Sequence, residues 1–324
     1  MIGILGAGAW GTALAQVIAS DATPVRLWAR TPAVADMVNK ARQNAVYLPD
    51  RILRNEIEAI TDISALADCD LLLVASPAQH LRGLLAQVGG RAPRILCAKG
   101  IEAGSRMLMS EVAADVSGPA PIAVLSGPTF AHEVAAGLPT AVTLACADAA
   151  LGSDLAARIA RPGFRPYFST DVVGAEIGGA VKNVLAIACG VVAGAGLGQN
   201  ARAALIARGF AEMTRFGLAR GAEAETLAGL SGLGDLVLTC SSSSSRNFSL
   251  GEGLGEGRSA EMLLADRRTV AEGAATAPVL AEAARAVSVD MPIVDAVCAL
   301  LAGRIAVREV VERLLARPLR SEQD

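Results

Sequence analysis

Lys182 stands with Asn183 in a run of small and apolar residues, Gly174-Ala175-Glu176-Ile177-Gly178-Gly179-Ala180-Val181-Lys182-Asn183-Val184-Leu185-Ala186-Ile187. One helical turn to either side lie Gly178 and Gly179, then Leu185 and Ala186. A lysine on such a face either snorkels outward or is desolvated. Desolvation lowers the pKa from ~10.4 toward the roughly 7–8 at which lysines exchange protons. A lysine so tuned can trade a proton with an alcohol or carbonyl oxygen while a hydride moves. Gly232-Leu233-Gly234-Asp235 offers a carboxylate that either orients Lys182 or accepts from a substrate hydroxyl. Ser245-Arg246-Asn247 offers hydroxyl, guanidinium and amide donors where a helical stretch opens. Those are the parts of a phosphate-ester site, with Arg246 giving charge-assisted bonds. Ser245 also ends the serine run Ser241–Ser245, which by composition alone reads as a flexible linker.

Two more candidates follow strand-like runs. Lys99-Gly100 comes after Ile95–Cys97, at the carboxyl end of a strand, where open α/β sheets bind ligands. There a lysine either bonds a substrate oxygen beside a nicotinamide or is a surface charge. Ser126-Gly127-Pro128-Thr129-Phe130 follows Ile122–Leu125 in the same way. Gly127 permits close backbone approach, and Thr129 offers a hydroxyl or serves as a helix N-cap.

A cofactor must meet these groups, and the first eleven residues, MIGILGAGAWG, provide for one. Four apolar or small residues run into Gly6-Ala7-Gly8-Ala9-Trp10-Gly11, and a helix-period run follows. In this strand–turn–helix context Gly6 makes the tight turn, Gly8 admits a pyrophosphate, and Gly11 allows close helix–strand packing. The helix N-terminus adds free N–H groups and the positive end of its dipole. After the second strand, Val25–Trp28, stands Arg30 rather than the acidic residue typical of NAD-selective sites. Arg30 favours the 2′-phosphate of NADP, or a relaxed preference, unless it is an ordinary surface charge.

The elements that carry these groups alternate up to about residue 170. Strand-like runs occur at Ile2–Leu5, Val25–Trp28, Leu71–Val74, Ile95–Cys97, Ile122–Leu125 and Ala141–Leu144, with a last one at Tyr167-Phe168. Helix-period stretches lie between most of them. Near-continuous apolar strands alternating with helices predict a doubly wound, Rossmann-like parallel sheet. Beyond Thr170 strand signals vanish, and helices are expected over Val172–Gly194, Ala201–Phe216, Ala260–Leu264, Ala277–Ala286 and Val294–Leu315. The expected division is a dinucleotide-binding domain over 1–170 and an all-α substrate and catalytic domain over 171–324.

At 324 residues, two domains fit the length, and 52% hydrophobic with 19% charged residues describes a large core. A net charge of −3 without basic blocks argues against nucleic-acid binding. No leader is expected ahead of a strand that begins beside Met1. The apolar run Val184–Leu197 is too short to span a bilayer and is expected to be a buried helix. Six dispersed cysteines and only His80 and His132 predict no metal site and a reducing, cytoplasmic setting.

Together these blocks resemble the bacterial NAD(P)-dependent glycerol-3-phosphate dehydrogenases. The matching residues are Gly6–Gly11 with Trp10, Lys99-Gly100, Ser126–Phe130 with Ala131, Val181-Lys182-Asn183, Leu233-Gly234-Asp235, Ser245-Arg246-Asn247 and Val270-Ala271-Glu272-Gly273. They occur in the family's order and spacing over nearly the whole chain. The resemblance implies reversible reduction of dihydroxyacetone phosphate to sn-glycerol 3-phosphate, at the entry to glycerophospholipid synthesis. It implies Lys182 as proton donor and acceptor, and Lys99 at both substrate and nicotinamide. Gly127, Thr129, Asp235, Ser245, Arg246 and Asn247 would hold the substrate. Gly6, Gly8, Ala9, Trp10, Gly11, Arg30, Lys99, Ala131, Arg246, Val270 and Glu272 would hold NADPH or NADH. It also implies a cytoplasmic homodimer. Two positions depart from many members: Ala9 stands for Ser, and Phe248-Ser249 follow the Ser-Arg-Asn triplet where Arg is common. Two other readings stand beside it: a 3-hydroxyacid dehydrogenase of the same architecture, and, from a different class, a non-catalytic nucleotide-sensing protein.

Overall fold

Ile2–Leu5 (β1) and Leu71–Val74 (β4) are buried at every position, as apolar runs covered on both faces must be. Around them β2 (Val25–Trp28), β3 (Ile57–Ile60), β5 (Arg94–Leu96), β6 (Ile122–Ser126), β7 (Thr140–Ala145) and β8 (Phe164–Ser169) complete one sheet. Its order is β3-β2-β1-β4-β5-β6-β7-β8, in a computed structural model that describes residues 1–265 and 271–316. The order reverses direction between β1 and β4, and the glycine turn after β1 lies at that switch point, where such sheets bind dinucleotides.

The sheet is mostly parallel, as expected, but β6 and β7 pair antiparallel, with Val124 opposite Ala145. The link between them contains only the short α5 described below, and it returns the chain rather than crossing over. Strand β3 was not among the expected ones. Ile57 and Ala59 are buried while Glu58 is exposed and Ile60 half-buried, the pattern of an edge strand, and Glu58 interrupts the apolar signal. Strand β8 is longer than Tyr167-Phe168 and contains Pro166, which the free edge tolerates.

Among the strands lie α1 (Ala9–Ile18), α2 (Pro32–Asp36), α3 (Leu81–Leu85), α4 (Met109–Val116), α5 (Ala131–Ala135) and α6 (Ala149–Ile159). Every described element after Ser169 is helical. These are a short π-helical turn at Leu230–Gly234 and the helices α7 (Val172–Gly194), α8 (Gly198–Ala219), α9 (Ala224–Ala228), α10 (Asp235–Cys240), α11 (Arg246–Gly255), α12 (Ala260–Leu264), α13 (Glu272–Ala286), α14 (Pro292–Leu301) and α15 (Val307–Leu315). The stretch expected as one helix from Val294 to Leu315 is two, because Gly303 takes a left-handed φ of 62°. Helix α13 begins earlier than expected, at Glu272, and accommodates Pro278 in its interior.

The central post of the helical region is α7. Its 23 residues are long and apolar enough to cross a membrane, yet 83% of its most apolar stretch is buried inside the fold. It is a core helix. Asp171 caps it by accepting from Gly174 N at 2.7 Å and also takes Glu223 N at 2.8 Å. Glu176 ties the helix to the sheet region, accepting Ser110 N at 2.8 Å and Ser110 Oγ at 2.5 Å where α4 starts. Burial pushes the Glu176 carboxyl up to about 7 despite those bonds. A buried carboxyl tied this firmly between α7 and α4 holds the lysine of α7 in register with the strand ends.

Candidate active site

The side chain of Lys182 does not snorkel. It is 6% exposed, and its Nζ donates to Asp235 Oδ1 at 2.6 Å and Thr239 Oγ1 at 2.8 Å. Lys99, in the turn after β5, reaches the same carboxylate from the sheet side, with Nζ 2.6 Å from Asp235 Oδ2 and 3.2 Å from Gly127 O. Asp235 is fully buried, and each of its oxygens serves one lysine. Of its two expected uses, the structure therefore supports orientation of Lys182. Two ammonium groups on one carboxylate cannot both be fully compensated. Burial pushes Lys182 down to about 8, Asp235 opposes that fall, and the Lys99 charge adds to it.

Thr239 was missed by sequence reasoning. It lies one helical turn beyond Asp235 on α10, donates to Asp235 O at 2.6 Å, and accepts from Lys182 Nζ at 2.8 Å. The spacing of four on one helix was the available signal. Asn44 was missed as well, and here nothing in the sequence pointed to it. Fully buried, it donates from Nδ2 to Ala7 O at 2.9 Å and to Thr12 Oγ1 at 2.8 Å, pinning the glycine turn to α1.

The turn itself fits a dinucleotide. Gly6 has φ of 119°, and a Cβ there would meet Ala75 O at 2.7 Å. A Cβ on Gly8 would have nothing within 4 Å, so the backbone is open to an approaching phosphate. One on Gly11 would overlap the Gly6 carbonyl, so this glycine serves helix–strand packing. No side chain caps α1, and no acidic residue lies in its first turn, which leaves its first N–H groups and dipole for an anion. Ala9 and Trp10 occupy that first turn, and Ala131 opens α5, which packs on α1. Arg30 is exposed just beyond β2. Val270 lies outside the described residues.

Trp10, Lys99, Leu125, Ser126, Gly127, Thr129 and Val142 line a narrow slot between the turn and the lysines. Gly127, with φ of 143°, does allow close approach, but of its own sheet: a Cβ would stand 3.0 Å from Val142 Cα. Thr129 is not an N-cap; its hydroxyl leans on Gly127 O at 3.3 Å, and Phe130 precedes α5. A larger hollow of about 460 Å³, lined by Pro278, Glu282, Arg285, Asp295, Cys298 and Arg304 among others, contains none of these groups. The slot is the candidate site, because its Lys99 is tied to the buried Asp235 and Lys182, whereas the larger hollow touches none of these groups.

The Ser-Arg-Asn triplet divides its labour. Ser245 is the N-cap of α11, its Oγ accepting from Phe248 N at 3.2 Å, so the serine run ends in a cap and not in a linker. Asn247 is buried, donating to Asn183 Oδ1 at 3.0 Å and accepting Gly273 N at 2.9 Å. Its amide ties α7, α11 and α13 together. Arg246 is exposed at the first position of α11, where its guanidinium can reach a ligand. Glu272 opens α13; burial raises its pKa, against the opposing charges of Arg246, Lys99 and Lys182. That electrostatic neighbourhood joins the triplet to the lysine pair.

The descriptions "NAD-dependent glycerol-3-phosphate dehydrogenase N-terminus" and "C-terminus" match residues 1–152 and 171–312. A glycerol-3-phosphate dehydrogenase of the NAD(P)+ type from Sphingopyxis alaskensis is 62% identical over 99% of this chain and 97% of its own length. One from Erythrobacter litoralis is 63% identical over 100% of this chain and 98% of its own. The crystal structure of glycerol-3-phosphate dehydrogenase from Coxiella burnetii superposes with a TM-score of 0.93 at 38% identity, covering 98% of both chains.

Proposed function

The chain belongs to the NAD-dependent glycerol-3-phosphate dehydrogenase family, and from that premise we propose which of its residues carry the reaction. The activity is the NAD(P)-linked interconversion of dihydroxyacetone phosphate and sn-glycerol 3-phosphate. Family membership sets aside the 3-hydroxyacid and nucleotide-sensor readings. When bound, the nicotinamide cofactor supplies the hydride for C2 or takes it back.

In the proposed mechanism Lys182 gives its proton to the C2 oxygen during reduction and recovers it during oxidation. A pKa of about 8 suits that exchange near neutral pH. Lys99 polarises the same oxygen, and Asp235 fixes the spacing of the two ammonium groups. Arg246 holds the substrate phosphate by charge-assisted bonds. That contact is remote from C2, so its binding energy positions the ketone for attack. Gly127 and Thr129 wall the slot, while Ser245 and Asn247 support Arg246 by capping and anchoring α11. The turn Gly6–Gly11 with Ala9 and Trp10 takes the pyrophosphate side, the family's motif adds Ala131, Val270 and Glu272 to the residues that hold the cofactor, and Arg30 favours NADPH over NADH. The division at residue 170 then puts the dinucleotide turn on one side and Lys182 with Arg246 on the other, while Lys99 and Glu272 serve across it. The family resemblance further supports a cytoplasmic homodimer.

The observation that carries this reading is the buried carboxylate shared by Lys99 and Lys182 at 2.6 Å each, beside an uncapped dinucleotide turn. Its test is the oxidation of NADPH and of NADH, each followed by absorbance with dihydroxyacetone phosphate and with dihydroxyacetone. The phosphorylated ketone should be favoured by about 10²-fold or more in kcat/KM, because remote phosphate binding is spent on the transition state. Equal turnover of the two ketones sinks the Arg246 assignment.

A further inference from the structure

Ser126 ends β6, is 4% exposed, and has an Oγ with no hydrogen-bond partner among the described residues. A buried hydroxyl without a partner has lost its water and gained nothing in return, so its position calls for a reason. Ser76 and Ser231 also carry orphaned hydroxyls, but Ser126 is the one of the three that lines the lysine slot. Its Oγ and the Lys99 stem crowd the same point on α7. A Cβ built on Gly179 would lie 3.1 Å from Ser126 Oγ and 3.2 Å from Lys99 Cγ. Gly179 is one turn before Lys182, and helical side chains cover the turn N-terminal to their own Cα. The hydroxyl therefore sits between the two lysines' elements, at the wall of the reacting site.

Resting on the proposed function, we infer that Ser126 Oγ is the hydrogen-bond partner of the substrate's free C1 hydroxyl, and so a specificity-determining residue. The substrate brings three polar parts into the slot. Its carbonyl goes to Lys182 and Lys99, and its phosphate goes to Arg246. The C1 hydroxyl is left, and it is neutral, with one proton to give and lone pairs to accept. A serine hydroxyl has the same dual capacity. Satisfying both orphans at once favours the substrate over a ketone that lacks this hydroxyl, because the analogue leaves Ser126 buried and unpaired.

The test compares dihydroxyacetone phosphate with its 1-deoxy analogue, hydroxyacetone phosphate, in the wild-type enzyme and in Ser126→Ala. Wild type should prefer the natural substrate. Ser126→Ala should lose about tenfold in kcat/KM on dihydroxyacetone phosphate and less than about twofold on the analogue, the pattern of a lost pairwise bond. NADPH binding, read by fluorescence titration, should not change. Equal losses on both ketones would make the serine structural, and weakened NADPH binding would place it at the cofactor; either overturns the inference. An unchanged preference in the variant overturns it too, while leaving the parent activity standing. If the wild type reduces neither ketone, the activity reading itself falls.

Discussion

A Cβ added at Gly8 would stand in open space, whereas one added at Gly190 of α7 would overlap the Phe248 carbonyl of α11. The arrangement is reciprocal, since a Cβ on Gly251 of α11 would overlap the Ile187 carbonyl of α7. In the sheet region the missing side chain leaves room for a ligand. In the helical region it lets two helix backbones touch, which brings Arg246 on α11 alongside the helix that carries Lys182. The same residue type thus makes one region receptive and the other rigid. A receptive edge suits a cofactor that must enter and leave. A rigid wall suits a lysine whose proton affinity depends on keeping water out.

The sharpest break in that comparison is Lys182→Ala. Loss of the proton-transfer group should lower kcat by about 10³-fold, within the range for a positioned general acid. Asp235 keeps Lys99 as its partner, so the variant should still fold and bind NADPH, as circular dichroism and fluorescence titration can show. A rate near wild type would remove Lys182 from the chemistry.

Next come the two glycines themselves. Gly190→Ala forces helices apart and should destabilise the protein by about 2–3 kcal/mol, seen as a lower thermal midpoint. Gly8→Ala should leave the midpoint almost unmoved and raise KM for NADPH by about tenfold, since a methyl there stands where the backbone must approach a phosphate. If the two variants exchanged these phenotypes, the contrast between the regions would be wrong.

The smallest effect is that of pH. In the proposed mechanism reduction needs Lys182 protonated, and burial has brought its pKa down to about 8. Raising pH from 8 to 9 should therefore slow reduction of dihydroxyacetone phosphate roughly fivefold as the ammonium is lost. Oxidation of glycerol 3-phosphate needs the neutral amine, so its rate should climb over the same range and level off above it. Parallel profiles in the two directions would assign the titration to some other group.

What could be read locally was read well. The strand–turn–helix at the N-terminus, most strands and the helical second half follow from patterns that span a few neighbouring residues. Strand β3 escaped because an edge strand of four residues with a glutamate in it resembles a loop. The antiparallel turn of β7 escaped because periodicity carries no direction. At the site, Lys182, Lys99 and Asp235 were visible as candidates. Their sharing of one carboxylate was not, since Lys99 and Asp235 are 136 residues apart. Asn44 acts on Ala7 over 37 residues and has no local signature.

The amino-acid sequence alone determined the dinucleotide turn, the order of strands and helices along the chain, and the residue types able to move a proton and hold a phosphate. Those properties rest on sterics and on apolar spacing between near neighbours. Only the tertiary structure decided that Lys182 is buried, that Asp235 accepts its hydrogen bond, that Asn247 ties helices together, and that the Ser126 hydroxyl stands unpaired. Proton affinity and hydrogen-bond satisfaction depend on what surrounds a group in space, and folding supplies those surroundings from distant parts of the chain.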